Sequence, residues 1–307
     1  MRHPRRAFSP LAIVLGLALV GNTSAAEVEV PRLEVEAPPD LTALAERILG
    51  QDPRRLEATM DLLGLTQPGP PIRVILAAED SPVAQGTPTW VSGFAYGNLG
   101  VIVLFPERTP AYPDTSFDEL LFHELSHVLA ARAAAGHSIP RWFNEGLAMY
   151  IGRSWNLEDR SRMTWALLVD RKVSLADLEQ RFVGDRGEMR RAYAVSGAFV
   201  RDLYHRFGPK IGAQILSDIA LGFPFEEAFY RRTGVNFVRA EERFWHTYSI
   251  WYRWVPVLSS SATLWIAITI LSLFAVKRRR HRTAEIKRQW EEEERWLDDG
   301  GSDDLIH

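Results

Sequence analysis

His123-Glu124-Leu125-Ser126-His127 is the stretch from which the rest of the chain can be read. On an α-helix, residues four apart lie on one face, about 6 Å from each other along the axis. Two imidazoles at that spacing can share one metal ion, and Glu124 beside them can reach a water on that ion. The alternative is an ordinary helix carrying two surface histidines, so the flanks carry the decision.

On the amino-terminal side, Ser116 and Glu119 read as a capping box, S-x-x-E, at the start of a helix. Leu121, Leu125, Val128 and Leu129 then recur at helical spacing and give a buried face beside the one carrying the histidines. The alanine-rich stretch Ala130 to Ala135 continues the helix, and Gly136 supplies its stop. Two mid-helix histidines on a rigid element are what a metal site needs. On the carboxy-terminal side, the chain turns through His137-Ser138-Ile139-Pro140, and Pro140 suits a first helical turn. The next helix reads Arg141-Trp142-Phe143-Asn144-Glu145-Gly146-Leu147-Ala148-Met149-Tyr150. Glu145 is a carboxylate in an otherwise apolar helix, costly to bury unless paired or bound to a metal. Unless it lies at the surface, it is the candidate third ligand.

At 307 residues the chain can hold one large domain or two small ones, and 46% hydrophobic residues suffice for a core. A net charge of -3 gives no sign of nucleic-acid binding. There are 0 cysteines, so disulfides are excluded and any metal is held by histidine and carboxylate alone, a donor set that suits Zn²⁺.

Upstream of the metal helix, residues 1 to 26 read as a secretory signal peptide. Arg2, His3, Arg5 and Arg6 form its basic start, Leu11 to Val20 its apolar middle, and Ser24 and Ala26 a small-residue cleavage site. Residues 27 to 40 read as extended, and Leu41 to Leu65 as helical with a break near Asp52-Pro53. Ile72 to Leu76 and Val101 to Phe105 are strand candidates, separated by a glycine- and aromatic-containing segment, Thr89 to Gly100. An exposed sheet edge ahead of the metal helix can hold an extended peptide by backbone pairing.

Downstream, residues 155 to 190 are charged and helical in pattern. Tyr193 to Phe207 reads as a helix, and Ile211 to Tyr230 as a helical pair around Gly222 and Pro224. Aromatic residues then gather at Phe244, Trp245, Tyr248, Trp251, Tyr252 and Trp254, fitting either a membrane interface or a packed core. Val255 to Val276 carries no charge over 22 positions (276 − 255 + 1), and Lys277 to Arg282 follows as a basic cluster. That pattern predicts a transmembrane helix with its positive flank in the cytoplasm. The tail from 277 to 307 turns acidic at Glu291 to Glu294 and reads as solvated and partly disordered.

HELSH followed by Trp142-Phe143-Asn144-Glu145-Gly146-Leu147-Ala148 resembles the gluzincin clan of zinc peptidases. The resemblance is nearest to the membrane-alanyl-aminopeptidase-like branch and the smaller peptidase MA-like families. In that clan the helix after H-E-x-x-H carries N-E-G-F-A or similar, and its glutamate is the third zinc ligand. Here 17 residues (128 to 144) separate His127 from Glu145, close to that spacing. The resemblance implies His123, His127 and Glu145 as ligands of Zn²⁺ and Glu124 as the general base. It also implies Tyr193, ahead of Gly197 and an apolar helix, as a hydrogen-bond donor to the oxyanion. Two departures stand out. Gly93 to Gly100, in the place of the clan's amine-binding G-A-M-E-N strand, has no acidic residue, so aminopeptidase specificity does not carry over. Met149 also occupies the position of a histidine-orienting aspartate, leaving Asp118 and Glu119 as candidates for that task.

The expected architecture is therefore α/β (α+β): a zincin-like domain over 27–254, with a small sheet, the HExxH helix and a mainly helical carboxy-terminal part. A signal peptide (1–26) precedes it, and a transmembrane helix (255–276) and cytoplasmic tail (277–307) follow. The expected function is that of a zinc metallopeptidase acting on peptides or proteins, anchored in the inner membrane with its catalytic domain outside the cytoplasm. The competing classes are a peptidase-like binding or signalling module, and a zinc hydrolase of another amide such as a peptidoglycan cross-link.

Overall fold

The computed structural model describes residues 29–109, 114–152, 174–182, 185–258 and 261–300. The expected signal peptide lies outside them, as do 155–173 and 183–184 of the charged stretch and 301–307 of the tail.

Four short strands make one mixed sheet: β1 (Leu33–Glu36), β2 (Ile72–Leu76), β3 (Gly93–Tyr96) and β4 (Val101–Leu104), in the order β1-β2-β4-β3. β1 pairs with β2 and β2 with β4 in parallel, while β3 runs antiparallel to β4 at the far edge. Ile72, Val74 and Leu76 turn one face toward the main core, with Ile102 and Leu104 beside them. Val103 turns the other way, into a smaller cluster with Ala77, Ala84 and Phe105. β4 is thus covered on both faces, which explains why its sequence is an unbroken apolar run rather than an alternation. Gly93 lets β3 close onto it: a Cβ there would come within 2.9 Å of Leu104 Cδ2.

Helices α1 (Thr42–Leu49) and α2 (Pro53–Leu63) precede β2, and the short α3 (Pro82–Gln85) precedes β3. The break expected at Asp52-Pro53 is an N-cap: the Asp52 side chain accepts from Arg54 N–H, with Pro53 at the first helical position. α4 (Phe117–Ala133) carries the histidines. Ser116 Oγ caps it by accepting from Glu119 N–H at 3.2 Å, but the reciprocal half of the box differs from expectation. Glu119 Oε2 accepts instead from the Thr115 N–H and hydroxyl, at 2.8 and 2.6 Å. The carboxyl end closes through Gly136, whose N–H donates to Ala131 C=O at 2.9 Å from a left-handed conformation (φ 77°). α4 is buried on nearly every side from Glu119 to Ala130. It is a central helix, buried beyond the face marked by its leucine stripe.

α5 (Arg141–Gly152) crosses α4 and packs along α7 (Arg186–Phe207), with the short α6 (Leu178–Arg181) between them in sequence. Two glycines set these approaches. A Cβ on Gly146 would lie 2.6 Å from Ser196 C=O oxygen of α7, and one on Gly152 would lie 3.1 Å from Glu119 C=O oxygen of α4. α8 (Ile211–Ala220), α9 (Phe225–Thr233) and α10 (Phe237–Leu258) complete the helical half. Trp142, Phe199, Phe225, Phe237 and Phe244 join it by edge and stacked ring contacts of about 5–6 Å between centroids. Of the carboxy-terminal aromatics, Phe244 and Trp245 are therefore core residues.

Within the stretch read as extended, residues 33–36 form a sheet strand. Two expectations are corrected here. The tail is not disordered over its described part: α11 runs as one helix from Ser261 to Gly300, with 265–295 exposed. The second correction is the membrane span. Among the described residues no helix is long and apolar enough to cross a membrane, which overturns the transmembrane helix at 255–276 and the single-pass inner-membrane location. Residues 259–260 lie outside the described residues, and the helices described on either side, Phe237–Leu258 and Ser261–Gly300, carry charged residues along much of their length.

Candidate metal centre

α4 and α5 bring together the three residues named as ligands. His123 Nε2 and His127 Nε2 lie 3.4 and 3.5 Å from the same oxygen, Glu145 Oε2. One ligand atom from each of the three lies within 4.8 Å of the others. Helical periodicity aligns the histidines, and the tight α4–α5 crossing delivers the glutamate across them. His123 and Glu145 are buried, and the His127 side chain is 13% exposed, so only one edge of the triad meets the cavity.

The site fits a tetrahedral metal with mixed nitrogen and oxygen donors. Bonds of about 2.0–2.1 Å in a tetrahedron separate ligand atoms by about 3.3–3.4 Å, which is nearly the spacing found between Glu145 Oε2 and each imidazole nitrogen. Glu145 Oε2 is buried yet accepts no hydrogen bond, the state expected of an oxygen reserved for an ion rather than a proton donor.

The electrostatics point the same way. Burial alone would make His123 harder to protonate, but Asp114 and Glu145 outweigh it and raise its pKa well above the usual value. His127 is likewise raised, burial being overcome by Glu145. Glu145 is lowered despite its burial, by His127 and His123. Positive charge is therefore favoured where the three donors converge. Glu124, buried beside them, behaves oppositely: burial pushes its pKa up to about 7, against the pull of both histidines and with added repulsion from Glu145 and Asp114. Tyr193 is raised well above its usual range, by burial first and then by Glu145 and Glu124, so its hydroxyl keeps its proton. Its ring lies 6.2 Å from that of His123 and 5.3 Å from that of Phe182.

A cleft of about 600 Å³ opens on this centre. Glu124, His127 and Tyr193 line it, together with Gly93, Phe94 and Ala95 of the β3 edge and Trp90 before it. All five residues singled out from the sequence thus reach one place.

Two further residues were not read from the sequence. Asp114, buried, has Oδ1 3.5 Å from His123 Nδ1, on the side of the ring away from Glu145. It lies beside the ring nitrogen that Asp118 and Glu119 were candidates to approach. Those two are committed elsewhere, Asp118 to Arg47 at 2.6 Å and Glu119 to Thr115. A lone acidic residue in a loop nine positions before His123 has no periodicity to betray it. The second is Arg141, one turn before Glu145 on α5, whose Nε lies 3.7 Å from Glu145 Oε1.

The chain has no match among curated proteins. A family model does match, over residues 77–250, which is 174 positions (250 − 77 + 1) of the 307 and runs from the end of β2 through the metal centre into α10. By that match, over more than half its length, the chain belongs to the Peptidase MA superfamily.

Proposed function

We propose that the protein is a zinc-dependent peptidase of the gluzincin type, in which His123, His127 and Glu145 hold Zn²⁺ and Glu124 is the general base. Two imidazoles and a carboxylate, in a chain without cysteine, suit zinc better than the all-oxygen sites of calcium or magnesium. The observation that carries the reading is Glu145 Oε2, buried, without a hydrogen bond, and equidistant from two imidazole nitrogens contributed by another helix. A bound Zn²⁺ would supply Lewis acidity, acidifying a water and polarising a carbonyl.

The chain's own residues do the rest. Glu124, poised near neutrality, accepts the proton of the attacking water and passes it to the leaving amine. Tyr193, held protonated, donates its O–H to the carbonyl oxygen as charge develops there. Asp114 Oδ1, 3.5 Å from His123 Nδ1, sets an acidic group on that side of the ring and so favours the tautomer that leaves the Nε2 lone pair free for the ion. Outward-facing backbone groups of the edge strand β3 pair with an extended substrate, which favours a peptide over a compact amide.

The test is digestion of an unfolded protein by the full-length chain before and after metal chelation. Cleavage is expected to stop with the chelator and to return with one equivalent of Zn²⁺. Cleavage indifferent to chelation would end the zinc-peptidase reading.

A further inference from the structure

Outside the metal set, the charge lining the cleft is one-sided. Glu124 and Glu145 are its acidic residues among those described, and both are already used; Arg141 adds a permanent positive charge, with His137 beside the same space. Arg141 is held without being satisfied. Its guanidinium carbon sits 4.7 Å from the centre of the Phe182 ring, and its backbone N–H donates to Glu179 at 2.8 Å. Its approach to Glu145, 3.7 Å through Nε, is an ion contact too long for a hydrogen bond. Among the described residues none accepts a hydrogen bond from the guanidinium, and 43% of the side chain is exposed. A guanidinium is always charged and presents its donors as a planar fork that matches a carboxylate in two parallel hydrogen bonds.

Position adds to this. One oxygen of Glu145 faces the imidazoles and the other faces Arg141. The width of a single carboxylate thus sets the guanidinium within about 8 Å of the point where the donors converge, roughly two residues of extended chain. We propose that Arg141 forms a carboxylate-binding subsite, so that the cleft selects peptides with a carboxylate one or two residues from the cut bond. That carboxylate is either the substrate's own C-terminus or an acidic side chain. The inference rests on the peptidase reading above for its substrate class. The competing role for Arg141 is to steady Glu145, and the two roles separate by experiment.

Full-length protein is given two matched peptide pairs. One pair differs in a C-terminal carboxylate against an amide, the other in Glu against Gln just after the cut bond. kcat/KM is measured for wild type, Arg141→Gln and Arg141→Lys. The dissociation constant of each peptide is measured by calorimetry with Glu124→Gln alone and combined with Arg141→Gln. Wild type is expected to favour the carboxylate member of at least one pair by about tenfold or more, the pair identifying which kind of carboxylate is read. Arg141→Gln is expected to reduce that ratio to within about twofold, and Arg141→Lys to keep part of it, since it keeps charge but not the fork. A wild-type ratio near one in both pairs overturns the proposal. So does Arg141→Gln slowing both members of a pair by the same factor, which is the signature of a residue that only steadies Glu145. The binding arm keeps the two readings apart. A carboxylate preference in binding that disappears with Arg141→Gln, without hydrolysis of any peptide, upholds the subsite and removes the peptidase.

Discussion

Glu124→Gln is expected to leave a folded protein with its full complement of metal and to lower peptide hydrolysis by about 10²- to 10⁴-fold, or 3 to 5 kcal/mol of barrier. The replacement keeps the size of a side chain that is buried beside both histidines, and it alters none of the three ligands. What it removes is a carboxylate whose burial has brought it to about 7, the range in which a base both accepts and releases a proton at neutral pH. Tyr193→Phe is the informative comparison. It removes one hydrogen bond to the oxyanion, and its loss is expected to be roughly 10- to 1000-fold, with metal content again unchanged. Equal digestion by wild type and Glu124→Gln would assign the chemistry to other residues.

The second large effect is expected in the scaffold. Gly146 lies where α5 meets α7, and an added Cβ would press on the side chain of Val200 and on the backbone of Ser196. Backbone cannot rotate away as a side chain can, so Gly146→Ala must push the helices apart. Overpacking of this kind costs about 1–3 kcal/mol, and the helical preference of alanine over glycine offsets up to about 1. The net loss, near 2 kcal/mol at the upper end, lowers the melting temperature by roughly 4–8 °C in a domain of this size. Because Glu145 is the preceding residue, the same displacement carries a ligand with it, and metal affinity is expected to fall alongside stability. Calorimetric melting with a metal titration checks both. A variant that melts and binds like wild type would show that the α5–α7 contact is slack.

Those two positions also show what the sequence made legible. His123, Glu124 and His127 were readable because helical periodicity fixes how residues four apart are disposed, whatever the rest of the fold does. Glu145 was readable because an acidic residue in an apolar helix demands a partner. Gly146 was visible as a letter, but its reason, a neighbouring helix 50 positions away (196 − 146), was not. The same holds for Asp114, whose meaning arises only when its loop folds back onto His123. β1 pairs in parallel with β2 through contacts such as Leu33 with Ile72. A four-residue strand of that kind has no local turn to announce it. The span at 255–276 failed for a related reason: an uncharged run records composition, and the helices that hold it carry charge along much of the rest of their length.

The central claim is that one Zn²⁺ is held by His123, His127 and Glu145, and elemental analysis of the purified full-length protein tests it most directly. Wild type is expected to contain close to one zinc per chain. Glu145→Ala, which removes the ligand supplied by the second helix, is expected to be folded by circular dichroism and nearly empty of zinc. Full zinc occupancy in Glu145→Ala, or a wild type that takes up none when zinc is offered, would contradict the account.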